Sequence, residues 1–264
     1  MRIAVFQFES SGDICANSCA IKGAILKAAE NNVRLLVLHE CALCGYPPLE
    51  VDIDTIDFSA LDAHTHAIKQ LAKEHNLYIA LGTIREHDGK RYNSTLLIAP
   101  SGEIVCSYDK RALWGWDLEH FAKGDSFGVF TIDGVKVGLR ICFEVRFPEY
   151  FRELFESGVE LCFISFYDVS SEDSLGRYDR IKAHLITRAV ENVMTVVSVN
   201  SSSKYQTAPT AVFDINGVVV EEAPRHKEHL LIYDYCKPEL DFGAKGRVEN
   251  SIQAINLQKG RMEQ

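Results

Sequence analysis

The sequence predicts a layered α/β domain with mixed sheets. Stretches in which apolar residues recur at helical spacing alternate with short apolar runs typical of strands, the pattern of helices packed on sheets. Hairpin-type turns interrupt this alternation at Asp88-Gly89, Ser101-Gly102, Asp133-Gly134 and Asn216-Gly217. Hairpins join antiparallel strands, whereas helical crossovers join parallel ones, so each sheet should contain both kinds of pairing. Because no linker-like segment divides the 264 residues, we expect one domain over residues 1–264.

The predicted elements follow one another at short intervals. Strands are predicted over residues 2–8, 35–38, 77–84, 92–99, 103–108, 127–132, 135–142, 159–166, 194–199, 210–215 and 218–222. Helices are predicted from about residue 14, over 59–75, from 148 to 157, and over about 178–192. Pro148 suits a first helical turn, and Gly158 suits the position after a helix end.

Composition limits the classes of function. The formal net charge of −9, without a basic run, argues against a nucleic-acid partner. No apolar run approaches the length of a membrane span, and Met1 leads directly into a strand rather than a signal peptide. We therefore expect a cytoplasmic protein whose eight cysteines are reduced thiols.

The strongest candidate for chemistry is Cys142, at the end of a predicted strand and just before a turn into a helix. A thiol in that position can act as a nucleophile, although a buried cysteine is more often a small hydrophobe. Glu40 and Lys110 also follow predicted strands, and Glu119 lies in an irregular segment. For each of these three, a solvated charge is the ordinary alternative. A carboxylate could take the thiol proton, and a lysine could stabilise an oxyanion.

In these motifs the sequence resembles the nitrilase, or carbon–nitrogen hydrolase, superfamily from Ile3 to about Gly217. The motifs that carry the resemblance are Leu38-His39-Glu40 with Gly45-Tyr46-Pro47, Tyr108-Asp109-Lys110-Arg111-Ala112-Leu113, Glu119 with Phe121 and Gly124, Gly138-Leu139-Arg140-Ile141-Cys142-Phe143-Glu144, Arg146-Phe147-Pro148-Glu149, and Arg188-Ala189-Val190-Glu191-Asn192. Each fragment alone is weak, but their order along the chain makes the match specific. The resemblance implies a four-layer α-β-β-α sandwich with two mixed sheets.

The resemblance also implies a site and an assembly. It assigns a catalytic triad of Glu40, Lys110 and Cys142, with Glu119 as a second, supporting glutamate. It further implies a homodimer or higher homo-oligomer that pairs through helices 148–157 and 178–192. The chemistry requires neither a metal nor an organic cofactor.

Three residues are predicted to bind substrate: Tyr46, Phe143 through its backbone N–H, and Asp168. Asp168 follows a predicted strand and could meet a cationic group of the substrate, although a turn or capping aspartate is the commoner role. The segment over 201–210 lacks the glycine that many relatives carry, and His39 stands where relatives often have proline. The shape of the substrate pocket is therefore left open.

The expected substrate is a small carboxamide, with an N-carbamoyl compound second and a nitrile third. Cys142 is followed by Phe143 rather than by the tryptophan usual in true nitrilases, and Arg146-Phe147-Pro148-Glu149 resembles small-molecule amidases. A catalytically silent binding or assembly subunit and an acyltransferase are the alternatives. The Cys41-Ala42-Leu43-Cys44 spacing could indicate a redox site, but the residues after it break a helix at once.

Overall fold

The computed structural model describes the backbone of residues 1–262 and the side chains of residues 1–257. The helices are α1 (Ile14–Glu30), α2 (Phe58–Glu74), α3 (Trp116–His120), α4 (Pro148–Glu156), α5 (Leu175–Asn192) and α6 (Phe242–Met262). The strands are β1 (Arg2–Gln7), β2 (Leu35–Leu38), β3 (Tyr78–His87), β4 (Lys90–Ile98), β5 (Ile104–Asp109), β6 (Val129–Ile132), β7 (Val135–Ile141), β8 (Leu161–Ser165), β9 (Thr195–Val199), β10 (Ala211–Phe213), β11 (Val219–Glu222) and β12 (His229–Asp234). Single 3-10 turns cover Ile53–Thr55 and Cys142–Arg146.

The strands form two six-stranded sheets, and both are mixed. The first sheet has the order β12-β1-β2-β3-β4-β5, and the second has the order β11-β10-β9-β8-β7-β6. In the first sheet, β2 pairs in parallel with β1 and β3. In the second sheet, β8 pairs in parallel with β7 and β9. Antiparallel pairs flank each parallel core, which confirms the prediction drawn from the interleaved hairpins.

Alternating side chains divide the core into layers. Along β1, Ile3 and Val5 pack with residues of the second sheet, whereas Ala4 and Phe6 pack with α1 and α2. On β8, Phe163 belongs to the layer between the sheets, and Ile164 packs against α4 and α5. Because successive strand residues point to opposite faces, each sheet buries one face on its partner and the other on helices. The result is the predicted α-β-β-α sandwich.

The predicted turns formed where their residues allow left-handed backbone. Asp88 and Gly89 have φ values of 50° and 67° and join β3 to β4, while Asp133 and Gly134 have 48° and 84° and join β6 to β7. Two-residue hairpin loops with positive φ match the twist of the flanking strands. Local turn chemistry therefore fixed the register of these hairpins.

Other parts of the chain differ from the sequence prediction. The segment around residue 119, expected to be irregular, forms the short helix α3. Helix α5 begins at Leu175 rather than near residue 178, because the Ser174 side chain caps it by accepting from the Arg177 N–H. Strand β12 and helix α6 were not predicted. β12 forms its ladder with β1 at the opposite end of the chain, and local periodicity carries little information about such pairing.

Candidate active site

Cys142 lies at a sharp turn between β7 and α4. Its φ of +45° is left-handed, which is uncommon for a residue with a side chain and marks a constrained turn. β7 pairs in parallel with β8, so the segments that follow both strands meet at the same edge of the second sheet. The 3-10 turn that begins at Cys142 leads into α4, which starts with Pro148 as predicted.

The Glu144 side chain holds this turn in place. Its carboxylate is fully buried and accepts hydrogen bonds from the Ile141 N–H at 2.8 Å, the Tyr108 hydroxyl at 2.7 Å and the Arg111 N–H at 2.7 Å. These donors come from β5, β7 and the segment after β5. Glu144 thus ties the cysteine turn to the segment that carries Lys110.

Glu40 and Lys110 form a buried ion pair at the same site. The Lys110 Nζ donates to Glu40 Oε1 at 2.8 Å, and the two side chains are 3% and 0% exposed. Asn93 Nδ2 also donates to Oε1 at 2.7 Å, and the Tyr167 N–H donates to Oε2 at 2.8 Å. Both carboxylate oxygens of Glu40 are therefore fixed, one of them by the segment that follows β8.

The second carboxylate beside Lys110 is Asp117, not the predicted Glu119. Asp117 Oδ2 accepts from Lys110 Nζ at 2.8 Å, and its Oδ1 accepts from the Tyr46 hydroxyl at 2.8 Å. Glu119 is exposed, two residues farther along α3. Because positions two apart on a helix point to different sides, only one of these carboxylates can reach the buried lysine. The assignment of Glu119 as the supporting glutamate is therefore corrected.

Burial and charge set the protonation of this cluster. Burial, followed by the negative charge of Glu40, raises the pKa of the Cys142 thiol well above its ordinary value. Burial also raises the pKa of Glu40, against the opposing effect of Lys110. Burial alone would lower the pKa of Lys110, but Glu40 and Cys142 raise it to a net value well above the usual one. The resting site thus holds a protonated thiol beside an ammonium, so the thiol needs a base before it can attack.

Asp168 has a cationic partner within the chain. Its Oδ1 lies 2.7 Å from Arg177 Nη2 and accepts from the Thr207 hydroxyl at 2.5 Å. The expectation that Asp168 meets a cationic group of the substrate is therefore corrected, because Arg177 already occupies that role. Asp168 follows Tyr167, whose N–H donates to Glu40, and its negative charge contributes to the raised pKa of Cys142.

The other two predicted substrate-binding residues border the cluster. The Tyr46 ring stacks on Tyr167 with centroids 4.9 Å apart and lies 5.9 Å from Lys110 Nζ. The Phe143 N–H belongs to the first turn of the 3-10 segment after Cys142, where backbone donors lack partners within the helix. The Phe143 ring packs edge-on against Phe147. Their contact with substrate stays a prediction.

Sequence reasoning missed Asp117, Asn93, Glu144 and Tyr167 as parts of this site. Glu144 and Asp117 carried a usable signal, since each is a carboxylate close in sequence to a candidate, Cys142 and Lys110 respectively. Asn93 gave none, because a polar residue on a hairpin strand is ordinary. The contact made by Tyr167 uses its backbone N–H, which any residue could supply.

His39 is a buried neutral histidine beside the cluster. Its Nδ1 lies 3.0 Å from the Glu40 carbonyl oxygen, so Nδ1 carries the proton and donates, and the ring packs against Phe8. Burial lowers the pKa of His39 from 6.5 to about 4. The lowered pKa means that the folded state favours the neutral ring, whereas the unfolded chain binds a proton below pH 6.5. The unfolding free energy that the neutral ring contributes above pH 6.5 is therefore lost as the pH falls towards 4.

We expect His39→Asn to remove this pH dependence, because asparagine keeps an N–H donor but does not titrate. The wild type should lose about 3 kcal/mol more unfolding free energy than His39→Asn between pH 7.5 and pH 4, as the lowered pKa requires. Urea unfolding at a series of pH values measures this. The carboxylates titrate in both proteins, so their contributions cancel in the difference between the two unfolding free energies. A difference that stays constant with pH would contradict the assignment.

Several further features concern the chain as a whole. Within the described residues, no group of three or more His, Cys, Asp or Glu side chains is arranged to hold a metal ion. None of the helices in that part of the chain combines the length and apolarity needed to span a bilayer. All eight cysteines are unpaired, including the buried Cys41 and Cys44.

Comparison with known proteins places this chain in a family. Residues 2–238 match the family model described as carbon-nitrogen hydrolase. The 2-oxoglutaramate amidase of Bacillus subtilis (strain 168) is 28% identical over 261 residues, which cover 96% of each chain. An (R)-stereoselective amidase of a Pseudomonas species is 30% identical over 204 residues, covering 76% of this chain and 70% of the relative.

A solved structure of an amidase from Nesterenkonia sp. has the same fold. It superimposes with a TM-score of 0.79 at 24% identity, covering 89% of this chain and 90% of that one. In a variant of the amidase from Nesterenkonia sp. AN1, the acetamide moiety of fluoroacetamide is attached covalently at the active-site cysteine. The match of residues 2–238 to the family model confirms the resemblance drawn from the motifs: the chain belongs to the carbon-nitrogen hydrolase family.

Proposed function

We propose that this protein is a thiol-dependent amidase that cleaves the C–N bond of a small linear carboxamide. The observation that carries the proposal is the buried cluster in which Lys110 bridges Glu40 and Asp117 beside Cys142. The cluster supplies a nucleophile, a base and a fixed positive charge, which acyl transfer through a thioester requires.

The first half of the reaction forms an acyl-enzyme. Glu40 takes the proton from the Cys142 thiol as the sulfur attacks the carbonyl carbon of the amide. Negative charge develops on the substrate oxygen, where the Lys110 ammonium and the Phe143 N–H stabilise it. Glu40 returns the proton to the departing nitrogen, the C–N bond breaks, and ammonia leaves. The acyl group remains on Cys142 as a thioester.

The second half consumes water. Glu40 takes a proton from the water that attacks the thioester carbon, and the same two donors stabilise the new oxyanion. Collapse of this intermediate breaks the C–S bond, and the sulfur recovers a proton from Glu40. The products are a carboxylic acid and the free thiol. Asp117 and Tyr46 do not enter either step; they hold the Lys110 ammonium in position through the contacts already described.

A carboxamide is the first choice of substrate, as the sequence predicted. The relatives named as amidases support it over an N-carbamoyl compound or a nitrile. Ammonia release from matched panels of the three classes tests this choice. Mass spectrometry of the protein during turnover should show an acyl adduct on Cys142, and Cys236→Ala, which removes an exposed thiol, should leave the adduct unchanged. Turnover without any adduct on Cys142 would contradict the proposed thioester.

The pair Arg177–Asp168 supports a finer proposal, that the preferred amides carry an anionic group at their far end. Arg177 belongs to the first turn of α5, and its side chain is 40% exposed where it pairs with Asp168. One nitrogen is held by Asp168, and arginine has further donors that match a carboxylate. The amino end of the long helix α5 adds positive potential there. The substrate 2-oxoglutaramate, in the name of the Bacillus subtilis relative, is an anionic amide.

We expect Arg177→Gln to lower kcat/KM for glutaramate about 10- to 100-fold, the range of a hydrogen bond to a charged group. The loss should appear mainly in KM, and the neutral pentanamide should be unaffected. Arg180→Gln, which removes an exposed arginine of the same helix, is the matched control. Because Arg177→Gln leaves the buried Asp168 without its ion pair, the double variant with Asp168→Asn should give the same result. Equal losses on both amides would contradict the role.

We also propose that the protein forms a homodimer through α4 and α5, as the sequence resemblance implies. These helices cover the outer face of the second sheet, and α5 presents small exposed residues such as Ala183. Ala183→Arg should therefore dissociate the dimer, whereas Ala16→Arg, on the exposed side of α1, should not. Sedimentation velocity measures both. A monomeric wild type, or a dimer indifferent to Ala183→Arg, would contradict this interface.

The compartment is proposed on the cysteines. All eight are unpaired, and Cys15, Cys19 and Cys236 are exposed. Thiols persist in this state in a reducing compartment, which supports the cytoplasm.

A further inference from the structure

The two oxygens of the Glu40 carboxylate bond to different sheets. Oε1 accepts from Asn93, on β4, at 2.7 Å and from Lys110, which follows β5, at 2.8 Å, so both donors come from the first sheet. Oε2 accepts at 2.8 Å from the N–H of Tyr167, which follows β8 of the second sheet. Cys142 follows β7, the neighbour of β8 in that sheet. The thiol therefore approaches Glu40 from the side of Oε2.

The count of acceptor positions on the carboxylate leads to the same oxygen. A carboxylate has about four such positions, two on each oxygen. Lys110 and Asn93 occupy both positions on Oε1. Within the described part of the chain, Oε2 has one N–H donor, Tyr167, so one position remains on it. A hydrogen bond to the Glu40 side chain is among the causes that raise the pKa of the Cys142 thiol. The remaining position on Oε2 is thus the one that can take the thiol proton.

Asn93 contacts both the lysine and the base of this site. The residue is 1% exposed, and its backbone carbonyl accepts from the Lys110 N–H at 2.8 Å while its side chain donates to Glu40. The backbone contact does not depend on the residue type, whereas the contact to Glu40 requires a side-chain donor. A substitution at this position therefore removes the contact to Glu40 and leaves the backbone contact to Lys110 in place.

Packing alone does not account for an asparagine at this position. Leu97, on the same face of β4, fills the layer between the sheets with an apolar side chain. Asn93 instead buries an amide whose Oδ1 has no hydrogen-bond partner among the described residues. Turning the amide over would bring this oxygen against the Glu40 carboxylate, where two acceptors repel. Because an unpaired buried acceptor is costly, the amide indicates a role at Glu40 rather than in the core.

We propose that Asn93 is a positioning residue for the base of this enzyme. Together with Lys110 it occupies Oε1, keeps the buried Glu40 carboxylate ionised, and so reserves Oε2 for the proton of Cys142. A hydrogen bond to the ionised form of a carboxyl group opposes the effect of burial, which favours the protonated form. The proposal deepens the amidase mechanism and rests on it only for the role of Glu40 as the base.

Asn93→Leu removes the side-chain N–H and keeps a similar volume. Modification of Cys142 by methyl methanethiosulfonate, followed by mass spectrometry from pH 5 to 9, measures activation of the thiol without any amide turnover. Loss of a hydrogen bond to a charged group should raise the pKa of Glu40, so the acidic limb of the rate should move up by about one to two pH units. At a pH below both limbs the rate should fall about 10- to 100-fold, and above both limbs the two proteins should differ little.

The comparison isolates one hydrogen bond. The other ionisable groups that interact with Glu40 are the same in both proteins: Lys110, Asp117, Cys41, Tyr46 and Cys142. The exposed Cys236 serves as the internal reference, and its rate should be equal in both. Thr95→Val, at a buried position two residues farther along the same face of β4, should leave the limb in place.

Glu40→Gln separates a positioning role from a structural one, because a positioning residue acts through the group that it positions. In the Glu40→Gln background, Asn93→Leu should have no further effect on the rate. Asn93→Ala should move the limb in the same direction as Asn93→Leu, so the test does not depend on how leucine packs. An unmoved limb in both variants, or an equal loss of rate in the Glu40→Gln background, would overturn the proposal.

Ammonia release from carboxamides, measured in parallel, distinguishes this proposal from the amidase assignment. If the limb moves as expected and no carboxamide releases ammonia, the role of Asn93 is supported and the proposed function is contradicted. If ammonia is released and the limb stays in place, the proposed function is supported and the role of Asn93 is overturned.

Discussion

Cys142→Ala will abolish amide hydrolysis while leaving the fold intact. Removing the nucleophile of a thioester mechanism costs about 10⁴-fold or more in kcat, since the remaining groups act only on an acyl-enzyme that no longer forms. The small side chain also fits the constrained turn that Glu144 holds. Ammonia release on the best carboxamide, with unfolding curves as a check of structure, measures both effects.

Glu40→Gln tests the same step, formation of the acyl-enzyme, by removing the base that takes the Cys142 proton. The amide oxygen still accepts from Lys110 and Asn93, whereas the amide nitrogen cannot accept from the Tyr167 N–H, so the cluster keeps most of its contacts but cannot take the thiol proton. We expect a loss of about 10²- to 10⁴-fold, the range for general acid–base catalysis. Cys162→Ala is the matched control for a buried thiol outside the cluster and should keep full activity at some cost in stability. Turnover that persists in Cys142→Ala would refute the triad assignment.

Asp117→Asn will impair catalysis, and Glu119→Gln will not. Asp117 holds the Lys110 ammonium, so losing its charge should cost about 10²-fold in kcat, comparable to losing one oxyanion donor. Glu119 is exposed and should tolerate the same change of carboxylate to amide. The pair forms a direct comparison between the residue that the structure places at the lysine and the residue that the sequence predicted.

The pH profile separates a role in the cluster from a general loss of structure. The negative charge of Asp117 contributes to the raised pKa of Glu40. Asp117→Asn should therefore lower the pKa of Glu40, and the acidic limb of kcat/KM should move to lower pH. Glu119→Gln should leave the limb in place. An unchanged profile in Asp117→Asn, or a large loss in Glu119→Gln, would contradict the positioning role of Asp117.

Most of the fold could be predicted from the sequence, because helices, strands and turns depend on local sequence signals. Turn pairs such as Asp88-Gly89 require positive φ, and proline and glycine frame α4 at Pro148 and Gly158. Periodicity and turn chemistry depend on neighbours along the chain, so they can be read without knowing the tertiary contacts. The strand β12 and its ladder with β1 could not be predicted in this way, since the two partners are at opposite ends of the sequence.

The sequence by itself determined the family and most of the order of strands and helices, and it predicted the triad of Glu40, Lys110 and Cys142. Only the tertiary structure decided which carboxylate contacts Lys110 and which cation pairs with Asp168. Asp117 and Glu119 differ by two positions, and the direction in which α3 packs selects between them. The sequence allowed Asp168 to contact a cationic group of the substrate, but in the structure Arg177 from the next helix pairs with it. Ion pairs of this kind join elements that are distant in the sequence, so no local sequence pattern predicts them.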